Sequence, residues 1–219
     1  MSTERISAID VASGNLVPMS SNPPVSSSAL SGWNGIQVEQ HRIPASESPE
    51  LELQHHSISI QLGQPFEIDW RLAGGRLQTT QMSRGDVSVT PNRIPTFTRW
   101  HNSVEFLLLS INPTLVERAA SQLTDTGLVE ITPARGVRAP QLQYIGLALL
   151  AELETGCLSG RLYGESLATA LAVHLVKRYS TSRKPIREPA AGFSKRQLQQ
   201  VIDDSDNLLV FPFSNPEIY

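Results

Sequence analysis

The side chains of this 219-residue chain best suited to hold a metal or attack a substrate are five histidines, His41, His55, His56, His101 and His174, and one cysteine, Cys157. A single cysteine can form neither an intramolecular disulfide nor a cysteine-based zinc site, so Cys157 is expected to be a buried or tolerated thiol. His55 and His56 are adjacent. Adjacent side chains on a strand point to opposite faces, so the two cannot share a metal ion, and no glutamate follows them before Glu67. His101 and Glu105 bring an imidazole near a carboxylate, but nothing places a nucleophile or a third orienting group beside them, which argues against general acid–base catalysis. Gly74-Gly75 marks a hairpin turn, and no Gly-x-x-x-x-Gly-Lys stretch exists to cradle phosphates, which excludes nucleotide hydrolysis of that type. What remains is binding. His56, Trp70, Trp100 and His101 combine apolar walls with polar handles and are the candidate ligand-binding residues for a small molecule. No catalytic residue, metal ligand or cofactor is expected.

Short strands must position these residues. From Trp33 to about Ile111 the chain alternates: Ile36, Val38 and Gln40 against Gln37 and Glu39, then His56, Ile58, Ile60 and Leu62 against His55, Ser57, Ser59 and Gln61, the pattern of a half-buried strand. Further strands are expected over Phe66 to Leu72, Leu77 to Met82 and Val87 to Val89, separated by turns at Gly74-Gly75 and Arg84-Gly85-Asp86. Val104 to Ile111 is apolar on both faces and should be central. About seven short strands with frequent turns predict an antiparallel sandwich or small barrel. After Asn112 the period becomes helical. Asn112 can cap a helix entered through Pro113, Pro140 opens a second helix that stops near Gly156, and a third runs from about Arg161 to Tyr179. The third carries the stripe Leu167, Ala170, Leu171, His174, Leu175 and Arg178, with Ala168, Ala172 and Val176 widening the apolar surface. The last two helices should form a hairpin, and the excess surface predicts a self-association seam through Leu167, Leu171, His174, Leu175 and Arg178.

Composition limits the partners. With 40% hydrophobic and 18% charged residues and a net charge of −3, the chain has neither a membrane span nor an overall basic surface. The N-terminus lacks the features of a secretion signal, which predicts a cytoplasmic protein. Residues 1–32 are rich in Ser, Asn, Pro and Gly and are expected to be a disordered tail. Between Lys177 and Gln200, seven cations face the single acid Glu188, a local basic segment that could lie near DNA.

The order of barrel, helical hairpin, basic Pro-containing linker and Phe193-Ser194-Lys195-Arg196-Gln197-Leu198, with Val201-Ile202 following, resembles AraC-type bacterial transcription regulators. Leu198 with Val201 and Ile202 is similar to the start of that family's first DNA-binding helix. Trp70 before Gly74-Gly75-Arg76, Met82 before Gly85-Asp86-Val87 and Pro91, and Trp100 before Val104-Glu105-Phe106-Leu107 extend the likeness over roughly residues 33–203. The resemblance implies an α+β chain: a cupin-like antiparallel β-barrel or sandwich followed by a helical hairpin. It also implies effector-binding and dimerisation functions over residues 33–181, a linker at 182–192, and the start of a helix-turn-helix domain at 193–219, where Lys195, Arg196, Leu198, Val201 and Ile202 are the DNA-binding remnant. The implied partners are a small-molecule effector and a second copy of the chain, with DNA only for an intact full-length form, and no membrane.

Beyond Asp203 the chain departs from the family. Residues 204–219 contain Pro212 and Pro216 and cannot supply the second, recognition helix that reads a major groove. A frameshift or truncation is the expected origin, and sequence-specific DNA binding by this chain is not expected. Two other functions compete with the sensor. A metal-dependent cupin enzyme would need two histidines one residue apart with a following glutamate, which His55 and His56 do not provide. A stand-alone small-molecule-binding or interaction module would need only the barrel.

Overall fold

Alternation over residues 36–111 is expressed as antiparallel strands in a computed structural model, which describes residues 5–124 and 129–181. The chain divides into two units, Met1–Pro185 and Ile186–Tyr219, and all described residues belong to the first. The expected linker at 182–192 and the residues Lys195, Arg196, Leu198, Val201 and Ile202 lie outside the described residues.

Thirteen strands are described: β1 (Ser7–Asp10), β2 (Leu16–Pro18), β3 (Ser26–Ser27), β4 (Ile36–Ile43), β5 (Ser46–Glu47), β6 (Leu51–Leu53), β7 (His56–Gln61), β8 (Phe66–Leu72), β9 (Gln78–Met82), β10 (Val87–Thr90), β11 (Pro95–Trp100), β12 (Val104–Ile111) and β13 (Ala134–Val137). They form two sheets, one in the order β2-β1-β6-β11-β8-β9 with β5 beside β11, the other β13-β10-β7-β12-β4-β3. The expected central strand is β12, paired along its length with β4 and β7. At one edge the sheets meet closely. Gly136 on β13 has φ +63°, and a side chain there would come within 2.8 Å of Thr80 Cγ2 on β9, so only glycine lets this edge close.

Three helices follow the barrel strands: α1 (Pro113–Leu123), α2 (Pro140–Glu154) and α3 (Gly160–Tyr179). Asn112 caps α1 as its sequence requires, its Oδ1 accepting from the Thr114 amide at 3.0 Å. Glu152 closes the turn between α2 and α3 by accepting from the Ser159 amide at 2.6 Å and hydroxyl at 2.8 Å. The helices cover one face of the second sheet. Ile58, Ile60, Leu107 and Leu109 from that sheet join Leu142, Leu149, Leu171 and Leu175 from the helices in the main core. The fold is α+β: an antiparallel two-sheet barrel and a helical hairpin.

Three expectations need correction. Residues 5–32 are not a disordered tail: β1 pairs with β6, Ile6 and Ala8 are buried, and the Arg5 guanidinium donates to the carbonyls of Ser20 and Asn22. Composition undervalued the open edge at β6, which supplies the hydrogen bonds and the apolar contact of Leu51 and Leu53. Strand β7 is not half-buried against water: Ser57 and Gln61 are buried as well as Ile58 and Ile60, and Ser59 is partly buried. On α3, Leu171 and Leu175 are fully buried within the single chain and take no part in an outward seam. Leu167 and His174 are half-buried, and Arg178 is exposed.

Candidate functional site

Because β-strand side chains alternate, the face of the second sheet opposite the helices must point into the barrel. It carries small polar groups. Ser57, Ser59 and Gln61 of β7 and Ser88 and Thr90 of β10 line a cavity of about 130 Å³, facing Phe66 and Ile68 of β8 and Thr96, Thr98 and Trp100 of β11. Phe106 and Leu108 of β12 complete one wall, and Leu51, Leu53 and Met19 contribute apolar surface from β6 and the N-terminal segment. Among the described residues on this wall, Arg135 of β13 is the one ionisable side chain. Its guanidinium carbon lies 5.3 Å from the ring centroid of Trp70, a cation–π contact. Burial lowers its pKa to about 10, which leaves it charged at neutral pH.

The four candidate ligand-binding residues are not brought together. Trp100 lines the cavity, its indole N–H donating to the Pro44 carbonyl at 2.8 Å. Trp70 shares the inward face of β8 and is held by its own N–H on Thr80 Oγ1 at 2.9 Å, with Arg135 over its ring. His56 lies on the opposite face of β7, alongside Ile58 and Ile60, where its Nδ1 accepts from the Asn92 amide at 3.3 Å. It is therefore a structural residue of the helix-side core. Desolvation lowers its pKa to about 4, with the charge of His55 adding to the effect. His101 is exposed beside Asp69, at 3.7 Å, while Glu105 accepts from Arg42 and Gln40. The Asp69 carboxylate is held low by hydrogen bonds from Thr79 and Arg99.

Sequence reasoning missed Arg135 and a buried acid–imidazole pair. Glu39 and His41 lie one residue apart on β4, on the inward side opposite Leu108 and Phe106, and each is 1% exposed. Glu39 Oε2 meets His41 Nε2 at 2.9 Å, Glu39 Oε1 accepts from the Ile6 amide at 2.9 Å, and the His41 ring stacks on Phe106. His41 Nδ1 has no hydrogen-bond partner among the described residues. The pair therefore fastens the N-terminal segment to the barrel from behind the cavity wall. A signal for it existed: an acid and a histidine two positions apart in a strand, and therefore on one face of it. Ser57, Ser59, Gln61, Ser88 and Thr90 carried a similar signal in two adjacent strands. No periodicity marks Arg135, because its strand is four residues long.

A metal centre built from imidazole and carboxylate side chains commonly takes three of them, as in a site of two histidines and one carboxylate. Among the described residues no three His, Cys, Asp or Glu side chains converge, and Glu39 and His41 are a pair without a third member. These residues do not fit a metal centre.

Fold and site together define an antiparallel barrel with a cavity of polar and apolar walls, backed by helices. No protein-family model matches the sequence, and no curated protein matches it. Solved cupin structures are similar to part of it. A RmlC-like cupin family protein with a double-stranded β-helix fold, from Methanocaldococcus jannaschii, is 15% identical, the likeness covering 35% of this chain and 70% of that one at a TM-score of 0.30. For a cupin-2 domain containing protein from Shewanella frigidimarina the figures are 12%, 42%, 84% and 0.33. For salicylate 1,2-dioxygenase from Pseudoaminobacter salicylatoxidans they are 17%, 37%, 21% and 0.31.

Proposed function

We propose that this chain is a small-molecule-sensing barrel that binds its effector in the cavity and, as an AraC-type regulator's sensor and dimerisation portion, passes the occupied state to its helices. One observation carries this reading: a single sheet has the cavity on one face and the helical core on the other. Along β12, Phe106 and Leu108 line the cavity while Leu107 and Leu109 pack against the helices. A ligand acts through such a sheet only by binding one arrangement of it better than another. The reading is of a binder rather than an enzyme, supported by a cavity wall that carries hydroxyls and one guanidinium but, among the described residues, no imidazole or carboxylate to activate them.

The test is a thermal-shift screen of small acids, sugars and aromatic compounds on the full chain, with Leu108→Trp, which fills the cavity, as control. A ligand should raise Tm of the wild type by several degrees and leave the variant unmoved, and should change self-association in sedimentation. A screen in which nothing separates the two proteins removes the reading.

A further inference from the structure

Among the described residues Arg135 is a cation without an anion. Its Nε is buried and has no hydrogen-bond partner among the described residues, and Trp70 supplies a ring face rather than a counter-charge. Three acids near the barrel are engaged elsewhere: Asp86 with Arg138 at 3.0 Å and the Ser83 amide, Asp69 with Arg99 at 2.8 Å, and Glu39 with His41 and the Ile6 amide, while Glu67 on β8 is exposed on the face opposite Phe66 and Ile68. Arg42, Arg71, Arg99 and Arg138 each have a carboxylate within 4 Å, and Arg76, Arg84 and Arg93, which have no such contact, are exposed to water. A guanidinium drawn out of water against an apolar wall loses hydration that only an anion with good geometry restores.

We propose that the cavity is a carboxylate-binding site: Arg135 receives the carboxylate of a small monoanion whose apolar body lies against Phe66, Ile68, Phe106 and Leu108. This deepens the small-molecule reading above and rests on it. Chemistry and size define the class. The planar fork of arginine matches a carboxylate two bonds at a time. One cation balances one negative charge, which favours a carboxylate over a phosphate monoester carrying nearly two. Ser88, across the bulge between β10 and β13, and Thr90 stand on the same wall and offer hydroxyl donors to the second oxygen. A cavity of about 130 Å³ is close to the roughly 150 Å³ that accommodates benzene in an engineered protein core, so the body is a single ring or a chain of about six carbons.

Calorimetric titration of the full chain with benzoate and hexanoate, and with the neutral amides benzamide and hexanamide, tests this. At least one acid should bind at least about tenfold more tightly than its amide, the range expected for a charge-assisted bidentate contact. Arg135→Met should abolish that preference without weakening the amide. Arg135→Lys, which keeps the charge and loses the fork, should retain part of it, and it decides the matter if the Met variant does not fold by circular dichroism. Amides that bind as well as acids, or a preference that survives Arg135→Met, overturn the carboxylate site and leave the small-molecule reading standing. Failure of all four compounds overturns it too, and combined with a blank thermal-shift screen overturns both.

Discussion

His56 shows how a residue with chemical potential can be spent on structure. Its imidazole is buried on the helix side of β7, where its pKa is lowered from 6.5 to about 4, mainly by desolvation. Between those pH values the unfolded chain binds a proton that the folded chain refuses. Stability therefore falls as pH drops from about 6.5 towards 4, by at most about 1.4 kcal/mol per pH unit for this one group, and levels off below. His174, lowered by burial and by Arg178 and Lys177, adds a slope of the same sign. His56→Gln keeps an acceptor for the Asn92 amide but does not titrate. Urea unfolding at pH 7 and at pH 4.5 should show a smaller difference for this variant than for wild type, and equal differences would mean that His56 is not the buried neutral group described here. The same residue illustrates the limits of the sequence. Alternation correctly put His56 on one face with Ile58 and Ile60, but alternation says only which residues share a face. It does not say whether the opposite face meets water, and Ser57, Ser59 and Gln61 meet a cavity instead.

Elements were legible where their signals are local. Asn112-Pro113 and Pro140 mark the starts of α1 and α2 because capping and proline geometry act within a turn. Strands β1, β2, β3 and β13 were not legible, being two to four residues long, and β1 and β13 are held by partners distant in sequence, β6 and β10. The helix α3 depends on such a distant partner as well. A side chain at Gly164 would lie 2.3 Å from Cδ2 of the Trp33 indole, so the N-terminal segment packs against α3 through a glycine-sized gap. Gly164→Ala gains about 1 kcal/mol of helix propensity and meets a rigid ring, an overpacking cost of about 1–3 kcal/mol. A net loss of up to about 2 kcal/mol is expected, seen as a lower urea midpoint. In a Trp33→Leu background the same substitution should become neutral or stabilising. The absence of that change of sign would show that Trp33 does not rest on Gly164.

At the scale of the whole molecule, the proposed dimer has to be built from what α3 leaves outside the core. Leu171 and Leu175 are fully buried beneath the chain's own sheet and helices, so the outward edge of the expected seam reduces to Arg178 with the half-buried Leu167 and His174. The two kinds of position answer differently to mutation. Leu171→Ala removes buried volume and should cost about 2–5 kcal/mol of unfolding free energy, whereas Arg178→Glu on the exposed edge should change intrinsic stability by less than about 0.5 kcal/mol while weakening self-association by charge reversal across a two-fold contact. Sedimentation equilibrium combined with urea unfolding at two protein concentrations separates these effects, because the stability of an obligate dimer depends on concentration and that of a folded protomer does not. A Leu171→Ala protein that dissociates without losing stability would put this leucine in the seam after all. An Arg178→Glu protein that associates as wild type would move the seam away from this edge of α3, and the route from an occupied cavity to a second copy would then have to leave the barrel through another helix.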